Sequence, residues 1–321
     1  MEKIIEEIGK IGIVPVIKID DAEKAVPLAQ ALKDGGIPCA EVTFRTAQGE
    51  EAIRRISRQM PEILLGAGTV LTTEQVDRAV DAGARFIVSP GFNPKVAAHC
   101  RKRGIPITPG CSNPSDIEAA LEAGLEVVKF FPAEPAGGLN YIKAVAAPYP
   151  NLKFIPTGGI NAGNIGTYLL YERIHACGGS WMVEAGLISA GKFDQITALC
   201  KEAVQKVHGF SLVHLGINAQ NEEEARKAAV FFEIFFGFSI REGKKSIFAG
   251  EGIEIMKAPY LGRNGHIAVA VNQVARAKAY LEQAGLAFNE DSANPDGKGG
   301  ISTIYLADEI AGFAVHLIQK K

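Results

Sequence analysis

The sequence lacks any apolar run long enough to cross a bilayer. Its first residues, Met1-Glu2-Lys3-Ile4-Ile5-Glu6-Glu7, carry charge where a secretory leader would be apolar. Both absences argue against a membrane partner and place the protein in the cytoplasm. An excess of one charge is missing too: 34 Lys and Arg stand against 36 Asp and Glu, a formal net charge of -2, which leaves no electrostatic footprint for nucleic acid. Cysteine is sparse. Cys39, Cys100, Cys111, Cys177 and Cys200 form no C-x-x-C pair, and an odd, scattered set argues against a disulfide framework, so reduced, buried thiols are expected. What is present is ordinary for a soluble globular protein, 47% hydrophobic and 22% charged residues. A chain of 321 residues exceeds what one hydrophobic core usually serves, so two domains are expected.

Apolar runs alternate with helically spaced stretches from Ile11 onward. Strand-like segments fall at 11–19, 39–45, 63–70, 86–90, 105–110, 127–132, 153–158 and 175–182, each followed by a helical stretch. Strands apolar on both faces imply a parallel sheet, and eight such units over 1–208 predict a (β/α)8 TIM barrel. Chemistry in that fold belongs at the C-terminal strand ends.

Within the sixth run, Val127-Val128-Lys129-Phe130-Phe131, Lys129 shares the face of Val127 and Phe131 and points its amine into an apolar interior. Burial disfavours an ammonium and leaves an amine able to attack a ketone and form a Schiff base. A lysine snorkelling from a strand edge is the bland alternative. Lys18 is the rival amine, but Asp20 and Asp21 beside it favour its protonated form. On strand 2, Glu41, Thr43 and Arg45 alternate onto one face, either as a buried ion pair or with a division of labour. In the second case Arg45 grips a substrate carboxylate and Glu41 moves protons. Gly158, Gly159 and Ser180 occupy the loops after strands 7 and 8, where barrels bind phosphate.

The motifs Glu-Val-Thr-x-Arg-Thr at 41–46, Gly-Ala-Gly-Thr-Val at 66–70, Ser-Pro-Gly at 89–91, Lys-Phe-Phe-Pro-Ala-Glu at 129–134, Pro-Thr-Gly-Gly-Ile at 156–160 and Gly-Gly-Ser-Trp at 178–181 together resemble those of 2-keto-3-deoxy-6-phosphogluconate aldolase. That family overlaps in activity with 4-hydroxy-2-oxoglutarate aldolase. The resemblance implies a class I aldolase without cofactor, acting on a small-molecule substrate and assembled as a homotrimer. In it Lys129 forms the Schiff base and Glu41 is the general acid and base. Arg45 and Thr69 hold the pyruvyl carboxylate, Thr157 lines the pocket, and Gly158, Gly159 and Ser180 bind phosphate. Two other readings remain: a barrel that senses a phosphorylated keto acid without cleaving it, and a main activity residing in the C-terminal half.

Residues 209–321 show a different pattern, an internal repeat of two βαβββ modules that predicts an α+β domain. Each module has one polar residue in its first strand and one in its last, among aliphatic neighbours: His214 and Glu254, then His266 and His316. Four such residues suggest a divalent metal, with zinc, nickel, iron or manganese all suited to the donor set; histidines satisfying one another are the alternative. This half resembles the vicinal oxygen chelate superfamily, glyoxalase I in particular, in which the matching positions carry the metal. His316 stands where that family commonly has a proton-moving glutamate.

Overall fold

Short strands with an apolar residue at nearly every position alternate with amphipathic helices throughout residues 1–207. The strands are β1 (Ile13–Ile17), β2 (Cys39–Thr43), β3 (Leu64–Gly68), β4 (Phe86–Ser89), β5 (Ile107–Pro109), β6 (Val127–Phe130), β7 (Lys153–Pro156) and β8 (Cys177–Gly179). In this computed structural model, which describes residues 1–297 and 299–320, every pairing among them is parallel. Strands β5-β4-β3-β2-β1-β8 form one ladder and β6-β7 another. The bridges Gly110 to Lys129 and Thr157 to Gly178 join them into a closed barrel. The helices start where the sequence offers a cap. Thr72, Asn93 and Asn113 each accept a backbone N–H of the first turn, and proline follows directly in the last two cases. All five cysteines are buried, and none is joined in a disulfide.

The chain divides into two compact units, Met1–Val207 and His208–Lys321. The second holds β9 (Ser211–Asn218), a helix over Glu222–Phe236, β10 (Ile240–Glu242), β11 (Ser246–Ala249) and β12 (Ile253–Met256). A second module repeats the order: β13 (Gly265–Val271), a helix over Val274–Gln283, β14 (Phe288–Pro295), β15 (Ile301–Leu306) and β16 (Phe313–Gln319). They form one sheet ordered β10-β11-β12-β9-β13-β16-β15-β14. β9 and β13 meet antiparallel at its centre, and each has its module's last strand parallel beside it, which gives the sheet a pseudo-twofold character. Each helix buries its own small core, Ala225 and Ala229 against Ile247 and Ile255, and Val274 and Ala277 against Ile304 and Leu317. Because side chains alternate, Phe248, Glu254, Tyr305 and His316 point to the opposite face of the sheet. No helix among the described residues is long and apolar enough to cross a membrane.

Candidate active site and metal centre

Lys129 sits where β6 places it. Val128 and Phe130 are fully buried, and Lys129, on the alternate face, is 7% exposed. Its Nζ lies 3.4 Å from Oε1 of Glu41, which is 3% exposed and reaches over from β2. The ring of Phe131 stands 5.6 Å from the same nitrogen. Space for the carboxylate comes from β3: a Cβ at Gly68 would stand 2.2 Å from Glu41 Oε1. Lys18, by contrast, pairs with Asp20 at 3.2 Å with its side chain 47% exposed, so the rival amine is a solvated ion pair.

One expectation needs correcting. Strand β2 ends at Thr43, and Arg45 lies in the turn beyond it, exposed, so it does not share a strand face with Glu41. The chain leaves the ladder after Phe44, whose N–H still bonds the Gly68 carbonyl. No ion pair joins Arg45 to Glu41 among the described residues. Arg45 Nε instead donates to Thr43 Oγ1 at 3.2 Å, and that hydroxyl donates to the Ile17 carbonyl at 2.8 Å. The guanidinium is therefore steered by Thr43 while its other N–H groups stay open to an anion.

Thr69 follows β3, half-buried, with φ 58°. Thr157 is buried at the end of β7, its hydroxyl 3.4 Å from the Ile155 carbonyl. Gly158 and Gly159 take left-handed φ values of 98° and 85°, folding the β7 exit against the β6 exit. There Ala133 N–H donates to the Thr157 carbonyl at 2.8 Å and Glu134 N–H to the Gly158 carbonyl at 3.0 Å. Ser180 is exposed on the next loop, which the Thr157–Gly178 bridge holds alongside. Sequence reasoning missed what braces this rim. Asn161 and Asn164 both donate from Nδ2 to the Gly159 carbonyl, at 3.2 and 3.0 Å, and the Tyr168 hydroxyl bonds Glu134. The Asn-x-x-Asn spacing just after the glycines was the available signal. A cavity of about 520 Å³, lined by Glu2, Arg101, Glu126, Lys153 and His175 among others, opens at the other end of the barrel, where none of these groups reaches.

In the second unit, His214, His266 and His316 are buried, with ligand-type nitrogens all within 4.8 Å of one another. Glu254 joins two of them. His214 Nε2, His266 Nε2 and Glu254 Oε2 are mutually 3.1 Å apart. Three such contacts cannot all be hydrogen bonds, because each Nε2 has at most one proton and the carboxylate has none to give. Donors about 2.0–2.1 Å from one ion stand about 3.0–3.4 Å apart, so the spacing fits a metal. Both nitrogens of His316 and Nδ1 of His266 are buried without a hydrogen-bond partner among the described residues. Burial alone pushes the Glu254 carboxyl up, but hydrogen bonds with His214, His266 and Ser246 outweigh it and hold it well below the usual range. His316 is pushed down to about 4 by burial and by the neighbouring His266 and His214, so it is a neutral donor. Gly216 makes the room: a Cβ there would stand 2.1 Å from the His266 ring. The donor set therefore fits a divalent metal.

Comparison with known proteins bears on the first unit. The family model described as KDPG and KHG aldolase matches residues 4–199, and the second unit lies outside it. The 2-dehydro-3-deoxy-phosphogluconate aldolase of Treponema pallidum is 52% identical over 207 residues, 64% of this chain and 99% of that protein. The KHG/KDPG aldolase of Escherichia coli K12 is 42% identical over 193 residues, 60% of this chain and 91% of that protein. Among solved structures, KDPG aldolase from Legionella pneumophila, with pyruvate captured as a covalent carbinolamine intermediate, matches with a TM-score of 0.60 and 40% identity. It covers 62% of this chain and 97% of that one. Through its barrel the chain belongs to the KDPG and KHG aldolase family, a family of carbon–carbon lyases.

Proposed function

We propose that the barrel cleaves 2-keto-3-deoxy-6-phosphogluconate to pyruvate and glyceraldehyde 3-phosphate, and 4-hydroxy-2-oxoglutarate to pyruvate and glyoxylate, through an imine on Lys129. The observation that carries this is the buried amine and carboxylate 3.4 Å apart at the C-terminal strand ends. Lys129 Nζ adds to the C2 ketone, and loss of water gives an iminium. As the C3–C4 bond breaks, its electrons pass into the iminium, and Glu41 takes the C4 hydroxyl proton, directly or through a water. Glu41 returns a proton to C3 of the enamine, and water then releases pyruvate and the free amine. The pyruvate carbinolamine of the Legionella relative supports this route. Arg45 and Thr69 hold the carboxylate, Thr157 lines the pocket, and Gly158, Gly159 and Ser180 take the phosphate. A sensor would need no proton-transfer carboxylate against a buried amine. The family likeness supports a homotrimer.

Pyruvate release coupled to lactate dehydrogenase tests the reading. Ser180→Asp should raise KM for the phosphorylated substrate and leave 4-hydroxy-2-oxoglutarate nearly unaffected. Equal effects on both would move the phosphate site elsewhere.

For the second unit we infer a divalent metal held by His214, Glu254, His266 and His316. The contact triangle that protons cannot satisfy supports it. Such an ion would supply a Lewis acid for an oxygen ligand. His316 in the place of the common glutamate argues against glyoxalase turnover, and aldol cleavage in the barrel is independent of the ion.

A further inference from the structure

Arg241 shares the face of the sheet that carries the histidines. Across the sheet, Arg241 on β10 lies opposite Phe248, Phe248 opposite Glu254, Glu254 opposite Gly216, and Gly216 opposite His266. Directly opposed residues share a face, so Arg241, Phe248, Glu254 and His266 form one row. The contacts agree. The guanidinium carbon of Arg241 lies 4.5 Å from the Phe248 ring centroid, and that ring meets His214 edge-on at 5.8 Å. Two strand spacings, about 10 Å, separate Arg241 from Glu254 along the row.

Arg241 is exposed, and no carboxylate pairs with it among the described residues. Its neighbour Glu242, on the other face, is tied to Arg226 at 2.7 Å and to Lys257 at 2.8 Å. That acid is thus committed elsewhere, while Arg241 is held on an aromatic ring, with no ion-pair partner among the described residues. Charge then selects the ligand. A divalent ion with three neutral imidazoles and one carboxylate carries +1, and Arg241 raises the face to +2, which a dianion neutralises. The separation sets its length.

We propose that this site binds a small acid that carries two anionic groups. Oxygen donors at one end, a hydroxy or oxo carboxylate, reach the centre formed by His214, Glu254, His266 and His316. A second anionic group, carboxylate or phosphate, lies in the fork of Arg241. The inference rests on the metal reading above and adds to it the ligand class and the residue that selects it. Tyr305, stacked on His316 at 4.6 Å, walls the opposite side.

The test uses the full chain loaded with cobalt(II), whose visible absorption reports only the metal's surroundings. Three 2-hydroxy acids, none able to form an imine with Lys129, are titrated: 2-hydroxybutyrate, 2-hydroxyglutarate with a distal carboxylate, and 3-phosphoglycerate with a distal phosphate. One or both of the acids with a distal anionic group should half-saturate the spectral change at a concentration about tenfold or more below that of 2-hydroxybutyrate. Whichever does so identifies the group that Arg241 accepts. Arg241→Ala should erase the advantage and leave cobalt content and 2-hydroxybutyrate binding unchanged. Equal affinity for all three acids, or an advantage that survives Arg241→Ala, overturns the inference and leaves the metal reading standing. A wild type that takes up no cobalt removes the metal reading and the inference with it.

Discussion

Gly68→Ala probes the candidate active site by crowding the Glu41 carboxylate. The added Cβ would stand 2.2 Å from Oε1, 2.8 Å from Cδ and 2.7 Å from Cγ of Glu41. Comfortable contact begins near 3.5 Å, so the carboxylate must retreat by about 1 Å. The contact with Lys129, at 3.4 Å, is at the long limit for a hydrogen bond, so a shift of that size changes the geometry in which Glu41 faces the amine. Misplacing a reacting group by about 1 Å costs on the order of 10²-fold in rate, and removing a general acid and base costs about 10²–10⁴-fold. Gly68→Ala should therefore lower kcat about 10²-fold in the coupled pyruvate assay, approaching Glu41→Gln, while imine formation with pyruvate is less affected. Overpacking should cost about 1–3 kcal/mol of stability, which thermal denaturation checks. Both changes act through one carboxylate, so the double variant should be no slower than Glu41→Gln alone. Full activity in Gly68→Ala, or losses that multiply in the double variant, would refute the reasoning.

Two further outcomes concern the second unit. After purification without an affinity tag, wild type should carry one divalent metal per chain and His214→Ala much less, with chelator leaving aldol cleavage intact; a wild type that also fails to bind added zinc, nickel or manganese would end the metal reading. His208 is pushed down to about 3 by burial and by nearby Arg276, its ring stacked on Tyr280 and Phe210. An unfolded histidine titrates near 6.5, so the unfolded chain binds the extra proton between these values and stability falls as pH drops from about 6.5 toward 3. Urea unfolding of wild type against His208→Phe should show a stability difference that changes by about 1.4 kcal/mol per pH unit in that window; a difference independent of pH would contradict it.

The buried Lys129–Glu41 pair was legible because period-two alternation in a buried strand turns Lys129 toward the interior, and the repeat of the two modules matched His214 with His266 as first-strand residues. Arg45 was misplaced because alternation says nothing about where a strand stops. β2 ends at Thr43, and only the hydrogen bond to Thr43 Oγ1 shows how the guanidinium is aimed. Gly68 was invisible in its role, since a glycine in a strand does not announce the side chain from the next strand that fills its space. The convergence of two Nε2 atoms and one carboxylate oxygen, and the row leading from Arg241 to His266, depend on strand order across the sheet, which a βαβββ repeat leaves open.

The central claim is that Lys129 is the Schiff-base lysine, and reductive trapping tests it most directly. The protein is incubated with pyruvate and borohydride, which makes the imine link permanent, then digested and mapped by mass spectrometry. The account predicts one adduct per chain on the peptide containing Lys129, abolished in Lys129→Ala. An adduct on Lys18, or none at all, would contradict it.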